Sequence, residues 1–274
     1  IAYAVVLGLT SSSLAETWTV DDDGPADFDN IQNAISVASP GDTVLVAPGT
    51  YTRLFLNNYV IDLMGKPITV RATGSPGKTI LDGEGLCLNV VECNSGETVN
   101  TRIEGFTITG GNSSGILINE GSSGSVPSWP TIIGCTISGN PHGAQVLGTS
   151  SFVPEFIDCT IENNDAVGIY LGLASSLTGC TIRNNTGNYG MFASDNSVIS
   201  DCEITGNNCA YGGVVCGSAV FTRCIVSGNT ALSGIGGGIR SNPASPDPTL
   251  SETSVCDNVP NQVDGGYIDA GGNT

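Results

Sequence analysis

The sequence predicts an all-β fold: a parallel solenoid of about eight to nine short coils, with a short capping helix at its N-terminal end. Three observations predict it. One phrase recurs along the chain, asparagine and glycine recur at fixed places beside it, and the interval between copies holds no helical pattern.

The phrase reads IIGCTISGN (132–140), FIDCTIENN (156–164), LTGCTIRNN (177–185), ISDCEITGN (199–207) and FTRCIVSGN (221–229), with weaker copies IEGFTITGG (103–111) and LSETSVCDN (250–258). Its cysteines, Cys135, Cys159, Cys180, Cys202 and Cys224, are spaced 24, 21, 22 and 22 residues apart. Phe106 and Thr253 take the same slot at either end. Within a copy the pattern alternates, so Ile157, Cys159 and Ile161 are expected on one face and Asp158, Thr160 and Glu162 on the other. A second short strand follows each asparagine, for example Ile169-Tyr170-Leu171, with glycine before it. One such unit cannot bury its apolar face alone, and stacking unit on unit makes a continuous core.

The cysteine column is expected to be a file of reduced thiols in that core, since a small apolar thiol suits a crowded interior. Cys87/Cys93 and Cys209/Cys216 are better placed for disulfides. Asn140, Asn164, Asn185, Asn207, Asn229 and Asn258 are expected to hold a left-handed corner and to bond from coil to coil, with Gly111 making the first corner without that bond.

The ends differ from the middle. Residues 2–9 are apolar and Ser13-Leu14-Ala15 offers small residues before Glu16, so 1–15 reads as the remnant of a secretory signal peptide. Residues 16–43 read as an acidic loop and a capping helix, with Asp27 as N-cap and Phe28, Ile31, Ile35 and Ala38 at helical spacing. The solenoid is expected over 44–258, and the polar, Gly-rich 259–274 as a truncated tail. Export places the chain outside the cell or on its surface, where disulfides are permitted.

Composition excludes other classes. The net charge of −18 with 8 Lys and Arg excludes a nucleic-acid binder. A single histidine, His142, excludes His-rich metal centres, and it reads as an exposed turn residue after Pro141. The apolar run at 2–9 is too short to span a bilayer, so no integral membrane protein is expected.

The chain resembles the right-handed parallel β-helix proteins of the pectin-lyase-like superfamily over roughly residues 40 to 258. More narrowly, DDDGPADFDNIQNAI, GDTVLVAPGTY, KPITVRATG and DGGYIDAGGNT resemble secreted bacterial β-helix repeat proteins with no established activity. The resemblance implies a single-stranded right-handed parallel β-helix.

It also implies a candidate chemistry. Pectate lyases of the superfamily hold Ca²⁺ with acids on adjacent coils, while an Arg or Lys removes the proton α to the uronate carboxyl. Asp158, Glu162, Asp201 and Glu203 would be the metal ligands, and Arg183 or Arg223 the base. The contrary expectation is that Glu162 pairs with Arg183 and Asp201 with Arg223 as simple cross-strand ion pairs. The hydrolase and methylesterase patterns of the superfamily are broken. Pro141-His142-Gly143 is a fragment, no Arg-x-Lys is present, and Gly49-Thr50-Tyr51-Thr52-Arg53 lacks its acid. Asp21, Asp22, Asp23 and Asp27 form the densest acid group and are a second calcium candidate. Trp129 and Tyr170 are candidates for stacking on sugar rings. The sequence therefore favours a secreted, surface-associated or polysaccharide-contacting scaffold, with a Ca²⁺-dependent uronate lyase as the alternative.

Overall fold

The computed structural model describes residues 14–54, 57–120, 126–148 and 153–274. The apolar run at 2–9, and with it most of the expected signal segment, lies outside the described residues.

Each coil contributes first to an 11-stranded sheet and then to a 16-stranded one. The first runs from Thr17–Val20 and Thr43–Val46 through Glu155–Ile157, Ser176–Thr178 and Val198–Ser200 to Ile268–Asp269. The second has two lanes. One carries Thr136–Ser138, Thr160–Glu162, Thr181–Arg183, Glu203–Thr205 and Ile225–Ser227; the other carries His142–Leu147, Val167–Leu171, Tyr189–Ala193, Val214–Cys216 and Ile239–Ser241. The long strands Thr79–Cys93 and Thr107–Asn119 pass through both lanes and join them. Pairing between coils is parallel, as in Thr160↔Thr181, Ile161↔Ile182 and Glu162↔Arg183.

The phrase is not one straight strand. Phe156, Cys159, Ile161 and Asn164 point inward, while Ile157 is half-exposed. The expected Ile157–Cys159–Ile161 face fails because Asp158 adopts φ +52° and turns the chain between two strands. Gly134, Gly179, Asp201, Arg223 and Glu252 turn the same corner with positive φ in their own coils. The alternation restarts after each bend, which a strict period of two cannot reproduce.

The asparagine corner is built differently from expectation. The left-handed residue is the one before the ladder: Gly139, Asn163, Asn184, Gly206, Gly228 and Asp257. The ladder amides are spent on bonding. Asn185 is fully buried; its Oδ1 accepts from the backbone N (3.1 Å) and Nδ2 (3.0 Å) of Asn164, and its Nδ2 donates to Asn207 Oδ1 (3.0 Å) and Ile161 O (3.0 Å). The same pattern runs from Asn140 to Asn258, where Gln262 Oε1 ends it by accepting from Asn258 N at 3.0 Å and Nδ2 at 2.9 Å. Gly111 joins after all, its backbone N donating to Asn140 Oδ1 at 2.9 Å. The ladder also explains the glycine that precedes each short strand. A Cβ at Gly143, Gly168, Gly190, Gly213 or Gly238 would stand 2.6–2.8 Å from the ladder's side chains.

The sulfur column is the inward file that the repeat predicts. Cys135, Cys159, Cys180, Cys202 and Cys224 are each 1% exposed, and Phe106 and Thr253 complete the column fully buried. All ten cysteines are free thiols, including Cys87, Cys93, Cys209 and Cys216, for which disulfides were expected. Burial pushes the Cys135 thiol up to about 11 and those of Cys209 and Cys216 up to about 12.

The capping helix is shorter than its spacing suggests, Ile31–Val37, with Asn30 as N-cap accepting from Gln32 N at 2.8 Å. Asp27 cannot cap it, because its carboxylate already accepts from Thr19 N (2.9 Å) and Thr19 Oγ1 (2.7 Å). Phe28 pairs with Val20 and packs edge-on against Trp18. Ile31, Ala34 and Ile35 are buried and cover the first coil. At the other end, residues 259–274 form a further coil rather than a loose tail. Val263–Asp264 and Ile268–Asp269 extend both sheets, and Asn273 Nδ2 donates to Leu250 O at 2.8 Å.

Two outcomes test this core. Asn185→Ala orphans buried donors and acceptors on two neighbouring coils, so denaturant unfolding should show a loss of about 3 kcal/mol; a loss below about 1 kcal/mol would contradict the ladder. With a chromogenic disulfide at pH 8, the nine buried cysteines should stay unreactive in the native protein, while Cys256, which is only half-buried, reacts first. All ten should react in denaturant without reductant, and a shortfall of two or more would reveal disulfides.

Candidate functional site

The outward residues of the first lane fall into columns one coil apart. Glu162 lies in register with Arg183, and Arg183 Nε donates to Glu162 Oε2 at 2.6 Å. At the corner, Arg223 clasps Asp201 with two bonds, Nε to Oδ1 and Nη2 to Oδ2, both 2.7 Å. The bond from Arg223 holds the Asp201 carboxyl below its usual range and raises the guanidinium's own affinity for its proton. A guanidinium base needs the opposite shift.

The four acids expected to share calcium do not converge. Asp158 and Asp201 are separated by the coil that carries Gly179, which places them roughly 10 Å apart at two strand spacings. Glu203 stands in another column, between Thr181 and Ile225. The oxygens of Glu162 and Asp201 that face a neighbouring coil are already bonded to arginine. This set does not fit a calcium ion, which takes six to eight converging oxygens.

Asp21, Asp22 and Asp23 do converge. Among the described residues they are the one set of three or more metal-ligand side chains whose ligand atoms lie within 4.8 Å of one another. Asp27 does not join them, being committed to Thr19. Three carboxylates provide about half of a calcium shell.

The stacking candidates separate. The backbone N of Trp129 donates to Glu97 O at 2.9 Å, and neighbouring Ser128 Oγ donates to Glu97 Oε2 at 2.7 Å. Glu97 is fully buried and also accepts from Gly65 N and Ser95 N, so it pins the segment that carries Ser128 and Trp129 to the wall of the solenoid. Nothing in its local sequence sets it apart from the surface acids. Tyr170 lies on the outer face of the second lane, where its ring stacks on Phe192 with centroids 4.7 Å apart and planes 11° apart. One face of Tyr170 is thus covered by a neighbour. Tyr189 stacks on Tyr211 at 5.5 Å, and Arg240 lies over Tyr211. These partners are one coil from each other, a signal present in the 22-residue spacing of Tyr170 and Phe192. His142 is half-buried at the start of its strand, with Nδ1 3.0 Å from Ser113 O.

A family model described as a right handed beta helix region matches residues 89–255. The chain belongs to the right-handed β-helix family. Among solved structures, the pectate lyase Pel9A superposes with a TM-score of 0.67 at 15% identity, covering 95% of this chain and 80% of that one. A pectin methylesterase from carrot gives 0.61 at 15% identity, covering 96% of this chain and 87% of that one. At that identity the likeness shows the fold alone. No curated protein matches the chain. No helix among the described residues is long and apolar enough to cross a membrane.

The Asp201–Arg223 contact makes a pH prediction. Its depressed carboxyl contributes stability that is present above about pH 4 and is lost as the pH falls through the folded value. In Arg223→Met, carboxyl NMR titration should move the Asp201 midpoint up into the ordinary range. An unchanged midpoint would mean that the pair does not form in solution.

Proposed function

We propose that this protein is a secreted β-solenoid scaffold that contacts polysaccharide at the cell surface and carries no β-eliminating centre on its first lane. One observation carries the reading: both arginines that a lyase would need as bases are held by acids it would need as calcium ligands, Arg183 by Glu162 and Arg223 by Asp201. Such pairs are what a repeated strand face does with charge when no ligand has to be held. Polysaccharide contact is supported by the company the fold keeps, since the solved neighbours include proteins named for pectate and pectin. In this reading calcium has no catalytic place, and Asp21–Asp23 would hold it, if anywhere, as a brace beside the cap. The net charge of −18 disfavours tight binding of uronates without such an ion.

The test is an absorbance assay for unsaturated uronate on polygalacturonate and alginate, with calcium and with chelator. No product is expected in either condition. Chelator-sensitive product that disappears in Arg183→Ala or Arg223→Ala would establish the lyase instead.

A further inference from the structure

A groove opens on the same face as the aromatic stack, two residues further along each strand. It is lined by Val153, Gly172, Leu173, Ala174, Ser194, Asp195 and Asn196 and encloses about 490 Å³, within the range of small-ligand sites. Its floor follows from the register. Tyr170 and Phe192 point outward, Leu171 and Ala193 point in, and the next outward positions are Gly172 and Ser194. Gly172 ends the outward column without a side chain, since a Cβ there would come within 2.9 Å of both Tyr170 Cε1 and the Val146 carbonyl oxygen.

The lining is amphipathic. Val153, Leu173 and Ala174 give an apolar wall. Ser194, Asp195 and Asn196 give a polar end. Asp195 Oδ1 is fixed by the backbone N of Ser218 at 2.9 Å, so the carboxylate is oriented by the next coil. Ser194 Oγ is buried and has no hydrogen-bond partner among the described residues. Buried hydroxyls are seldom left so, and this one is an unspent donor and acceptor at the polar end of the groove.

We propose that this groove binds one unit of a neutral glycan. A pyranose ring has an apolar C–H face and a rim of hydroxyls, which matches an apolar wall meeting Ser194, Asp195 and Asn196 at one end. Hydroxyls donate to a carboxylate and accept from an amide, so Asp195 and Asn196 offer both partners. An acidic sugar does not fit, since the lining holds a carboxylate and no cation and the whole chain is strongly negative. The inference rests on the polysaccharide contact proposed above and gives it a place and a substrate class.

The test is affinity electrophoresis of the whole chain through gels containing a neutral galactan, a glucomannan or an arabinan, with polygalacturonate plus chelator as the acidic comparison. At least one neutral polymer should retard the protein, and polygalacturonate should not. Asn196→Gly, which removes the amide and keeps the positive φ of 64° at that position, should raise Kd several-fold with an unchanged Tm. Asp195→Asn, which keeps an oxygen for Ser218, should weaken binding several-fold and guards against a folding defect in the first variant. Retardation by no neutral polymer, stronger retardation by polygalacturonate, or retardation of both variants equal to that of the unaltered chain would overturn the groove. The two readings fail separately, since the scaffold reading falls on unsaturated uronate in the absorbance assay.

Discussion

Everything in this molecule is arranged around a file of buried amides. Asn140, Asn164, Asn185, Asn207 and Asn229 each bond to the next coil through both side chain and backbone, and Asn258 closes the file. A buried amide is tolerable only when its hydrogen bonds are made. Here they are made only if the next coil lies directly on the last. The file therefore fixes register as well as cohesion. It also dictates its surroundings: left-handed residues before it to turn the chain, glycines beyond it where a Cβ would strike it, and thiols and aliphatic side chains within.

A fixed register turns the surface into columns. Whatever one coil places outward meets the same position of the next at strand spacing. Opposite charges then pair, as with Glu162 and Arg183, and rings stack, as with Tyr170 and Phe192. Both arrangements satisfy the side chains internally and leave little free for a ligand. A binding site on such a scaffold has to interrupt a column, and Gly172 and Ser194 do so where the outward residues shrink beside the aromatic pair.

The recurring phrase made much of this legible. The cysteine file, the coil-to-coil asparagines and both arginine pairs follow from spacing alone, because an exact repeat converts sequence position into spatial neighbourhood. What the phrase hid was local backbone geometry. Asp158 and Asn163 turn the chain through positive φ, so Phe156 rather than Ile157 faces the core. Alternation carries no mark of a bend between two short strands. Asp27 reads as an N-cap by composition, but a competing contact claims it, to Thr19 eight residues back and outside the span in which a cap is read. Residues 259–274 look like a polar tail because their coil bonds through Asn273 and Gln262 rather than through a buried apolar phrase. The groove was invisible for a related reason: glycine, serine, aspartate and asparagine between strands read as a turn, and only the stacking of coils makes them a lining.

The most direct measurement is hydrogen exchange at the asparagine side-chain amides, followed by NMR in the native protein. If coils are clamped through this file, the Nδ2 protons of Asn164, Asn185, Asn207 and Asn229 should exchange as slowly as the core strand amides, and only with global unfolding. Exchange at the rate of a free carboxamide, with the strand amides still protected, would contradict the account.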